Sequence, residues 1–384
     1  MRCGAYGEVW VGNLIGNSVW YAAELRRELR ARNRLWARGK AHVESYGSSP
    51  VIVYAPYHPT DEDLCVGAPL YHPTEEDLCV EIAPNHGRHG NFFEASYAAI
   101  TARPEWMRRF DKVHAQGRSL PKSVAQTSEQ TPRRWRELDS SMSSDALLMN
   151  VFCAPGVLDA PRIRQALGID GDVEPVFGWK ARVPLASGRF DRTEVDMRWG
   201  GLLVEAKLTE GDFQTRAARI VEGYRDFDAV FERELLPRVE LRETRRRAAV
   251  EFAEEYTQEW EGAATDDSVA REFQAAVVAR ARETEPAEAG YASYQLIRNV
   301  LAAYAAGCSF CVVHDERRPD LREAWYAVMA AVKTAEMRVR CKVLTWQELA
   351  GMVPDDLQEF LDAKYGIVRV GRVASTPGEP ASFE

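Results

Sequence analysis

The sequence predicts an α/β fold, because strand-like and helix-like patterns follow one another along residues 141–345. Ser143 and Ser144 precede the apolar run ALLMNVF, which predicts a helix with a serine N-cap. Three strands are then predicted in succession, over 173–185, 193–199 and 202–208. Helices and strands alternate after them, over 291–306, 308–314, 320–334 and 339–345. This order predicts one main domain in which helices cover a sheet.

Other regions extend this predicted core. Residues 1–140 are predicted to form an N-terminal extension of helices and loops, and 212–290 a charged helical insertion. Residues 346–370 follow as a C-terminal helix and strand, and the tail 371–384 is predicted to be disordered.

The composition is that of a folded globular protein. Of its 384 residues, 46% are hydrophobic and 28% are charged, and the net charge is −9. This negative total argues against nucleic-acid binding through overall charge. However, residues 103–136 carry nine basic and three acidic residues. This basic segment is either a contact surface for DNA phosphates or a solvated face.

The sequence favours a protein of the cytoplasm. No apolar run reaches the length of about 18 to 20 residues that a membrane span needs, and the first residues do not resemble a signal peptide. The seven cysteines are an odd number, which favours reduced thiols over a disulfide framework. We therefore expect no membrane partner.

The strongest functional signal is a hairpin centred on Gly200-Gly201. A Gly-Gly pair between two alternating runs predicts a two-residue turn, of type I′ when φ is positive at both positions. Such a turn fixes the register, so that one face of the hairpin is apolar, with Val195, Met197, Trp199, Leu202, Val204, Ala206 and Leu208. On the other face, Asp196 is expected opposite Glu205, and Glu194 opposite Lys207.

Two acids in direct opposition predict a cation between them, because like charges at this separation destabilise a hairpin. Carboxylate oxygens with room for water suit Mg²⁺ or Mn²⁺, and Lys207 can hold an attacking hydroxide or a developing phosphorane charge. The pattern therefore predicts phosphodiester hydrolysis. It also predicts that Asp196→Asn or Glu205→Gln leaves stability unchanged or slightly raised, since either change relieves repulsion.

The spacing of Asp196, Glu205 and Lys207 resembles the signature of the PD-(D/E)XK nuclease superfamily, although Val195 stands where that signature usually has proline. The order of elements over 141–345 also resembles its core. Within the superfamily, the sequence is similar to restriction-endonuclease-like bacterial proteins at further positions, namely Ser143-Ser144, Glu174, Thr209-Glu210 and Tyr294-Gln295.

This resemblance implies a restriction-endonuclease-like core, a mixed central sheet flanked by helices. It further implies a metal-dependent hydrolase acting on DNA, an (endo)deoxyribonuclease. Asp196 and Glu205 would hold Mg²⁺ or Mn²⁺, Glu174 is a candidate third ligand, and Lys207 would position or activate water.

Several alternatives stay open in the sequence. Lys207 paired with Glu194 on a solvated face would be structural, and Glu174 before Pro175 also fits a strand end. Glu210 and Gln295 also fit capping and surface positions. The same fold suits a non-catalytic nucleic-acid-binding or scaffolding protein. A homodimer is compatible with the sequence, as is cleavage from within a strand or from its ends.

A near-exact repeat offers a different function. YHPTDEDLCV at 57–66 and YHPTEEDLCV at 71–80 place possible zinc ligands seven residues apart, and two more histidines follow: His58, Cys65, His72, Cys79, His86 and His89. A zinc-binding interaction module is therefore an alternative. Structural zinc sites usually bring their ligands in closer pairs, which favours a duplicated loop.

Overall fold

The structure is a computed structural model that describes residues 7–44, 51–57, 87–113, 136–241 and 288–371. The chain divides into two compact units. The first unit comprises Met1–Leu25, Gly47–Ser49 and Gly178–Thr345. The second unit comprises Arg26–Tyr46, Pro50–Phe177 and Trp346–Glu384.

The described helices are α1 (Gly7–Trp36), α2 (Glu94–Thr101), α3 (Pro104–Met107), α4 (Ser144–Phe152), α5 (Pro161–Leu167), α6 (Ala218–Val221), α7 (Phe227–Val230), α8 (Tyr294–Ala306), α9 (Pro319–Ala330), α10 (Ala335–Arg340), α11 (Trp346–Ala350) and α12 (Asp355–Tyr365). The described strands are β1 (His42–Glu44), β2 (Ile52–Tyr54), β3 (Pro56–Tyr57), β4 (Arg88–His89), β5 (Val176–Lys180), β6 (Val183–Pro184), β7 (Phe190–Asp191), β8 (Glu194–Trp199), β9 (Leu202–Ala206), β10 (Arg216–Ala217), β11 (Arg238–Glu240), β12 (Ala289–Tyr291), β13 (Ser309–His314) and β14 (Cys341–Thr345).

A five-stranded mixed sheet forms the centre of the first unit, in the order β14-β13-β9-β8-β5. β8 and β9 are antiparallel, whereas β13 runs parallel to both β9 and β14. Helices cover this sheet: Leu203 and Phe310 share one apolar core with Ile297 and Val300 of α8 and with Trp325 of α9. The predicted α/β class, with a mixed central sheet flanked by helices, is confirmed.

The region predicted as a long helical insertion is different in its described part, 212–241. It forms two four-residue helices, α6 and α7, and the short strands β10 and β11, which pair with β12. Isolated bridges join Tyr224 to Leu185 and Phe231 to Val332. These backbone pairings are incompatible with one continuous helix, although the buried apolar residues recur at helical spacing.

The second unit confirms the predicted serine N-cap. Ser143 caps α4, since its hydroxyl oxygen accepts a hydrogen bond from the Ala146 N–H at 3.1 Å. Proline begins another helix of this unit, because α2 ends at Thr101 and Pro104 begins α3. None of the described helices is both long and apolar enough to span a membrane.

Candidate active site

The hairpin of β8 and β9 has the predicted register. Trp199 pairs with Leu202 and Met197 with Val204, and all seven residues of the predicted apolar face are buried. The turn differs in type: Gly200 has φ +56°, and Gly201 does not have a positive φ. Positive φ at the first position alone is the pattern of a type II′ turn, which also has two residues and so leaves the register unchanged.

Asp196 lies where the backbone ladder between the two strands ends. The carboxylate Oδ2 of Asp196 accepts a hydrogen bond from the Ala206 N–H at 2.7 Å. The side chain therefore reaches across to β9 from a half-buried position. This contact fixes the carboxylate of Asp196 at Ala206, the residue between Glu205 and Lys207 in the sequence.

Glu205 and Lys207 form a buried ion pair. Lys207 Nζ lies 2.9 Å from Glu205 Oε1, and both residues are at most 5% exposed. The second oxygen, Glu205 Oε2, accepts a hydrogen bond from Asn299 Nδ2 of α8 at 2.8 Å. Each oxygen of this buried carboxylate therefore has a donor, as a buried charge requires.

The surroundings of Lys207 keep its ammonium group charged. Burial alone would lower its pKa, but the nearby carboxylates of Glu205, Glu210 and Asp196 outweigh burial and raise the pKa above the ordinary lysine value. Glu210 itself accepts a hydrogen bond from the Leu208 N–H at 2.7 Å. Lys207 can therefore donate hydrogen bonds and offset negative charge, but it is not a proton acceptor at neutral pH.

A buried arginine fixes the loop that follows β9. Arg318 donates hydrogen bonds to the carbonyl oxygens of Glu210 at 2.7 Å and Gly211 at 3.0 Å, and it pairs with Asp320 at 2.7 Å. The guanidinium group is fully buried. It therefore holds the backbone of Glu210, one of the acids that raise the pKa of Lys207.

His314 ends β13, the strand next to β9. Its Nδ1 donates to the carbonyl oxygen of Asp315 at 2.8 Å, so Nε2 lacks a proton in the neutral ring. Within the described parts of the chain, Nε2 has no hydrogen-bond partner. Burial lowers the pKa of this histidine, and Arg322 adds to the effect.

Three residues of this region, Asn299, Arg318 and His314, are not among those predicted from the sequence. A signal for Asn299 exists in the sequence, since it is a polar residue inside the apolar run LIRNVLAA. Arg318 and His314 lie near the end of a strand, where polar side chains of parallel sheets often gather. Which groups these three side chains contact depends on packing that the sequence does not reveal.

The other predicted positions are engaged in different contacts. Glu174 belongs to the second unit, where its side chain is 63% exposed and accepts a hydrogen bond from Arg103 at 2.9 Å. Its role as a metal ligand stays a prediction. In the first unit, Tyr294 exchanges a hydrogen bond with the hydroxyl of Tyr224 at 2.8 Å, and Oε1 of Gln295 is buried without a partner among the described residues.

The described part of the basic segment is largely ion-paired. Arg109 is buried against Asp145, and Lys112 lies 2.8 Å from Glu137. Residues 114–135 lie outside the described residues. Arg109 and Lys112 therefore contribute to the fold of the second unit.

The candidate zinc ligands from His58 to His86 lie outside the described residues. His89 is described: its Nε2 lies 3.1 Å from Asp139 Oδ1 in a buried position. Over the described ranges, no group of three or more His, Cys, Asp or Glu side chains is placed to hold a metal ion.

The comparisons with known proteins agree with the fold. Neither a curated protein nor a solved structure is significantly similar to this chain. One family model, described as Restriction Endonuclease associating with ARP, matches residues 72–366. The matched range is more than half of the chain and contains the whole β8–β9 hairpin, α8 and β13. The chain therefore belongs to the restriction-endonuclease-like family REase-ARP.

Proposed function

We propose that this protein is a divalent-metal-dependent nuclease of the PD-(D/E)XK type that hydrolyses phosphodiester bonds in DNA. The observation that carries the proposal is the environment of Lys207. A lysine that is buried beside Glu205 and close to Asp196 and Glu210 is a fixed positive charge inside a cluster of acids. Such a cluster is suited to chemistry on an anionic substrate.

The donor set fits a hard divalent cation. Mg²⁺ is commonly bound by one or two carboxylates together with water and a substrate phosphate, so a group of three protein ligands is not required. Asp196 and Glu205 are the two carboxylates that would hold the ion. Each carboxylate oxygen has two lone pairs, so an oxygen that accepts one hydrogen bond retains a site for the metal.

A bound ion would polarise the phosphate and lower the pKa of a coordinated water. Lys207 has a different task, because it stays protonated. Its ammonium group has three N–H donors, and Glu205 takes one of them. The ammonium group can hold the attacking oxygen or a phosphate oxygen whose negative charge increases in the transition state.

The test is cleavage of supercoiled plasmid and linear duplex DNA with Mg²⁺, with Mn²⁺, and with a chelator in place of metal. We expect cleavage only with metal. Asp196→Asn should remove cleavage and keep the fold, which circular dichroism would verify. The control is Glu222→Gln, which changes a carboxylate that contacts Tyr291 and Arg233 in the first unit. This variant should retain cleavage. If the protein cleaves DNA neither with Mg²⁺ nor with Mn²⁺, the proposal is contradicted.

A non-catalytic nucleic-acid-binding or scaffolding role is the second candidate. One observation favours it: both oxygens of Glu205 and one oxygen of Asp196 already accept hydrogen bonds from the protein. A polar cluster of this kind can serve stability alone. Binding of duplex DNA in a separate binding assay, together with no cleavage in the presence of Mg²⁺ or Mn²⁺, would support this role.

A further inference from the structure

A second cationic surface lies on the hairpin of β6 and β7 and the residues that flank it, directly before the strand that carries Asp196. Residues 180–192 contain four basic residues and one acidic residue, in a protein whose net charge is −9. All four basic residues, Lys180, Arg182, Arg189 and Arg192, are exposed. We call Lys180, Arg182 and Arg192 the hairpin cations.

The hairpin cations include two arginines in direct opposition. Val183 pairs with Asp191 and Pro184 with Phe190, and the Ala181 N–H donates to the Thr193 carbonyl at 2.8 Å. The same register places Arg182 opposite Arg192, as a pair without backbone hydrogen bonds, in which side chains approach most closely. Like charges in this position destabilise a hairpin.

Asp191, the acid at the end of β7, forms no ion pair with these arginines in the described part of the chain. The carboxylate of Asp191 accepts a hydrogen bond from the Tyr224 hydroxyl at 2.6 Å. No hairpin cation forms an ion pair with another residue in the described part of the chain, whereas Arg219, Arg225 and Arg233 of the same unit each do. The positive charge of this surface is therefore open to a partner.

An aromatic ring orders one of the arginines. The guanidinium carbon of Arg182 lies 4.4 Å from the centre of the Phe190 ring, which is itself 45% exposed. Stacking of this kind restricts the rotamers of the long side chain, so less entropy is lost when the planar guanidinium group binds a phosphate. The surface thus has features of an anion-binding site that an ordinary solvated arginine lacks.

The position of the surface connects it to the candidate active site. Arg192 precedes Asp196 by four residues, so their Cα atoms are at most about 14 Å apart. Burial alternates between these residues, and Arg192, Glu194, Asp196 and Arg198 are all on the less buried side. An extended nucleic-acid backbone on the hairpin cations would therefore lie next to the acids.

We propose that Lys180, Arg182 and Arg192 bind the phosphate backbone of the nucleic-acid substrate and deliver it to Asp196, an inference that rests on the proposed nuclease function. Phosphate contacts fix the position of a protein on DNA without reading sequence. The hairpin would thus supply affinity that the acids cannot supply, since the acids repel the substrate in the absence of metal.

The test is binding of a fluorescein-labelled duplex DNA, measured by anisotropy in EDTA over a range of salt concentrations. The variant Lys180→Gln, Arg182→Gln, Arg192→Gln should bind at least about tenfold more weakly at moderate salt. Its slope of log affinity against log salt should fall by about 0.9 for each lost phosphate contact. The charge-preserving variant Lys180→Arg, Arg182→Lys, Arg192→Lys should keep the slope of the unmodified protein.

A matched control removes the same charge elsewhere on the first unit, at exposed positions: Arg219→Gln, Lys333→Gln and Arg338→Gln. Equal losses in the control and in the hairpin variant would overturn the inference, because overall charge would then explain both. Competition by polyglutamate as strong as competition by unlabelled DNA would also overturn it, in favour of an acidic protein partner.

The binding assay separates this inference from the proposed function. If the hairpin variant loses binding and even the unmodified protein does not cleave with Mg²⁺ or Mn²⁺, the surface stands and the nuclease proposal falls. If the unmodified protein cleaves and the hairpin variant binds DNA with unchanged affinity and salt slope, the surface inference falls and the nuclease proposal stands.

Discussion

Two lysines, one in each unit, are fully buried and have opposite properties. Lys207 lies beside the carboxylates of the first unit, and its pKa is raised. Lys364 lies in the second unit, where its Nζ donates to Asn33 Oδ1 at 2.9 Å and faces the rings of Tyr54 and Tyr365. Burial and the charge of Lys40 lower its pKa well below the ordinary value.

The comparison shows that burial alone does not make a lysine a functional group. Lys364 forms no ion pair with another described residue: its hydrogen bond goes to the neutral amide of Asn33, and Lys40 adds a like charge, so its charge is without compensation. Its amide and aromatic contacts join α1, β2 and α12 within the second unit. Lys207 has acidic neighbours, so its charge is preserved where a phosphate would need it. The two lysines differ in the charge of the groups around them, and variants at both positions can test this difference.

The largest expected difference is in catalysis. Lys207→Met should lower the rate of DNA cleavage by about 100-fold to 1000-fold, the usual loss when one group that stabilises transition-state charge is removed. Lys364→Met should cleave like the unmodified protein, because methionine fills a similar volume and Lys364 has no part in the proposed chemistry. Single-turnover cleavage by both variants is the measurement. Equal losses would mean that Lys207 acts through the fold alone.

The second difference is in stability, and it changes an expectation from the sequence. The register alone suggests that removing either opposed acid relieves repulsion. However, Glu205 is the buried partner of Lys207 and of Asn299, so Glu205→Gln should cost about 3 kcal/mol of unfolding free energy. Asp196→Asn should cost less than about 1 kcal/mol, because an amide oxygen can still accept from the Ala206 N–H.

Urea unfolding of both variants without metal measures this difference. A Glu205→Gln protein as stable as the Asp196→Asn protein would show that the remaining acids, Asp196 and Glu210, compensate for the buried ammonium of Lys207. The original expectation of relieved repulsion would then apply to both positions.

The sequence could predict this site only as far as local geometry extends. Gly200-Gly201 determines the hairpin, and the hairpin determines that Asp196, Glu205 and Lys207 lie near one another. The contact from Asn299 to Glu205 joins residues 94 positions apart, and only the packing of α8 on β9 creates it. Charge counts have the same limit, since they do not reveal that Arg109 in the basic segment is buried against Asp145.

A third difference compares two polar residues on α8. The resemblance to known nucleases points to Gln295, whereas the structure places Asn299 on the carboxylate of Glu205. Asn299→Leu should raise the Mg²⁺ concentration for half-maximal cleavage about tenfold, because a residue that orients a metal ligand usually affects metal affinity to this degree. Gln295→Leu should change it less. A larger effect at Gln295 would contradict the role that we assign to Asn299.

The smallest expected difference is the pH dependence of stability, and its sign differs between the two lysines. Lys364 has a folded-state pKa below the ordinary value of 10.5, so between these two values the unfolded chain binds more protons. Stability therefore rises with pH over that range, by at most about 1.4 kcal/mol per pH unit. Lys364→Met removes this cost, so the variant should be more stable at neutral pH, with an advantage that shrinks as the pH approaches 10.5.

Lys207 has a folded-state pKa above 10.5, so its contribution to stability is fully present below that pH. It is lost only as the pH rises through the folded-state pKa. The stability deficit of Lys207→Met should therefore be constant from neutral pH to about 10.5 and shrink above it. Unfolding free energies of the two variants and the unmodified protein, measured at a series of alkaline pH values, give both slopes. A deficit of Lys207→Met that already shrinks well below pH 10.5 would mean that its carboxylate neighbours do not hold the proton, and the contrast with Lys364 would fail.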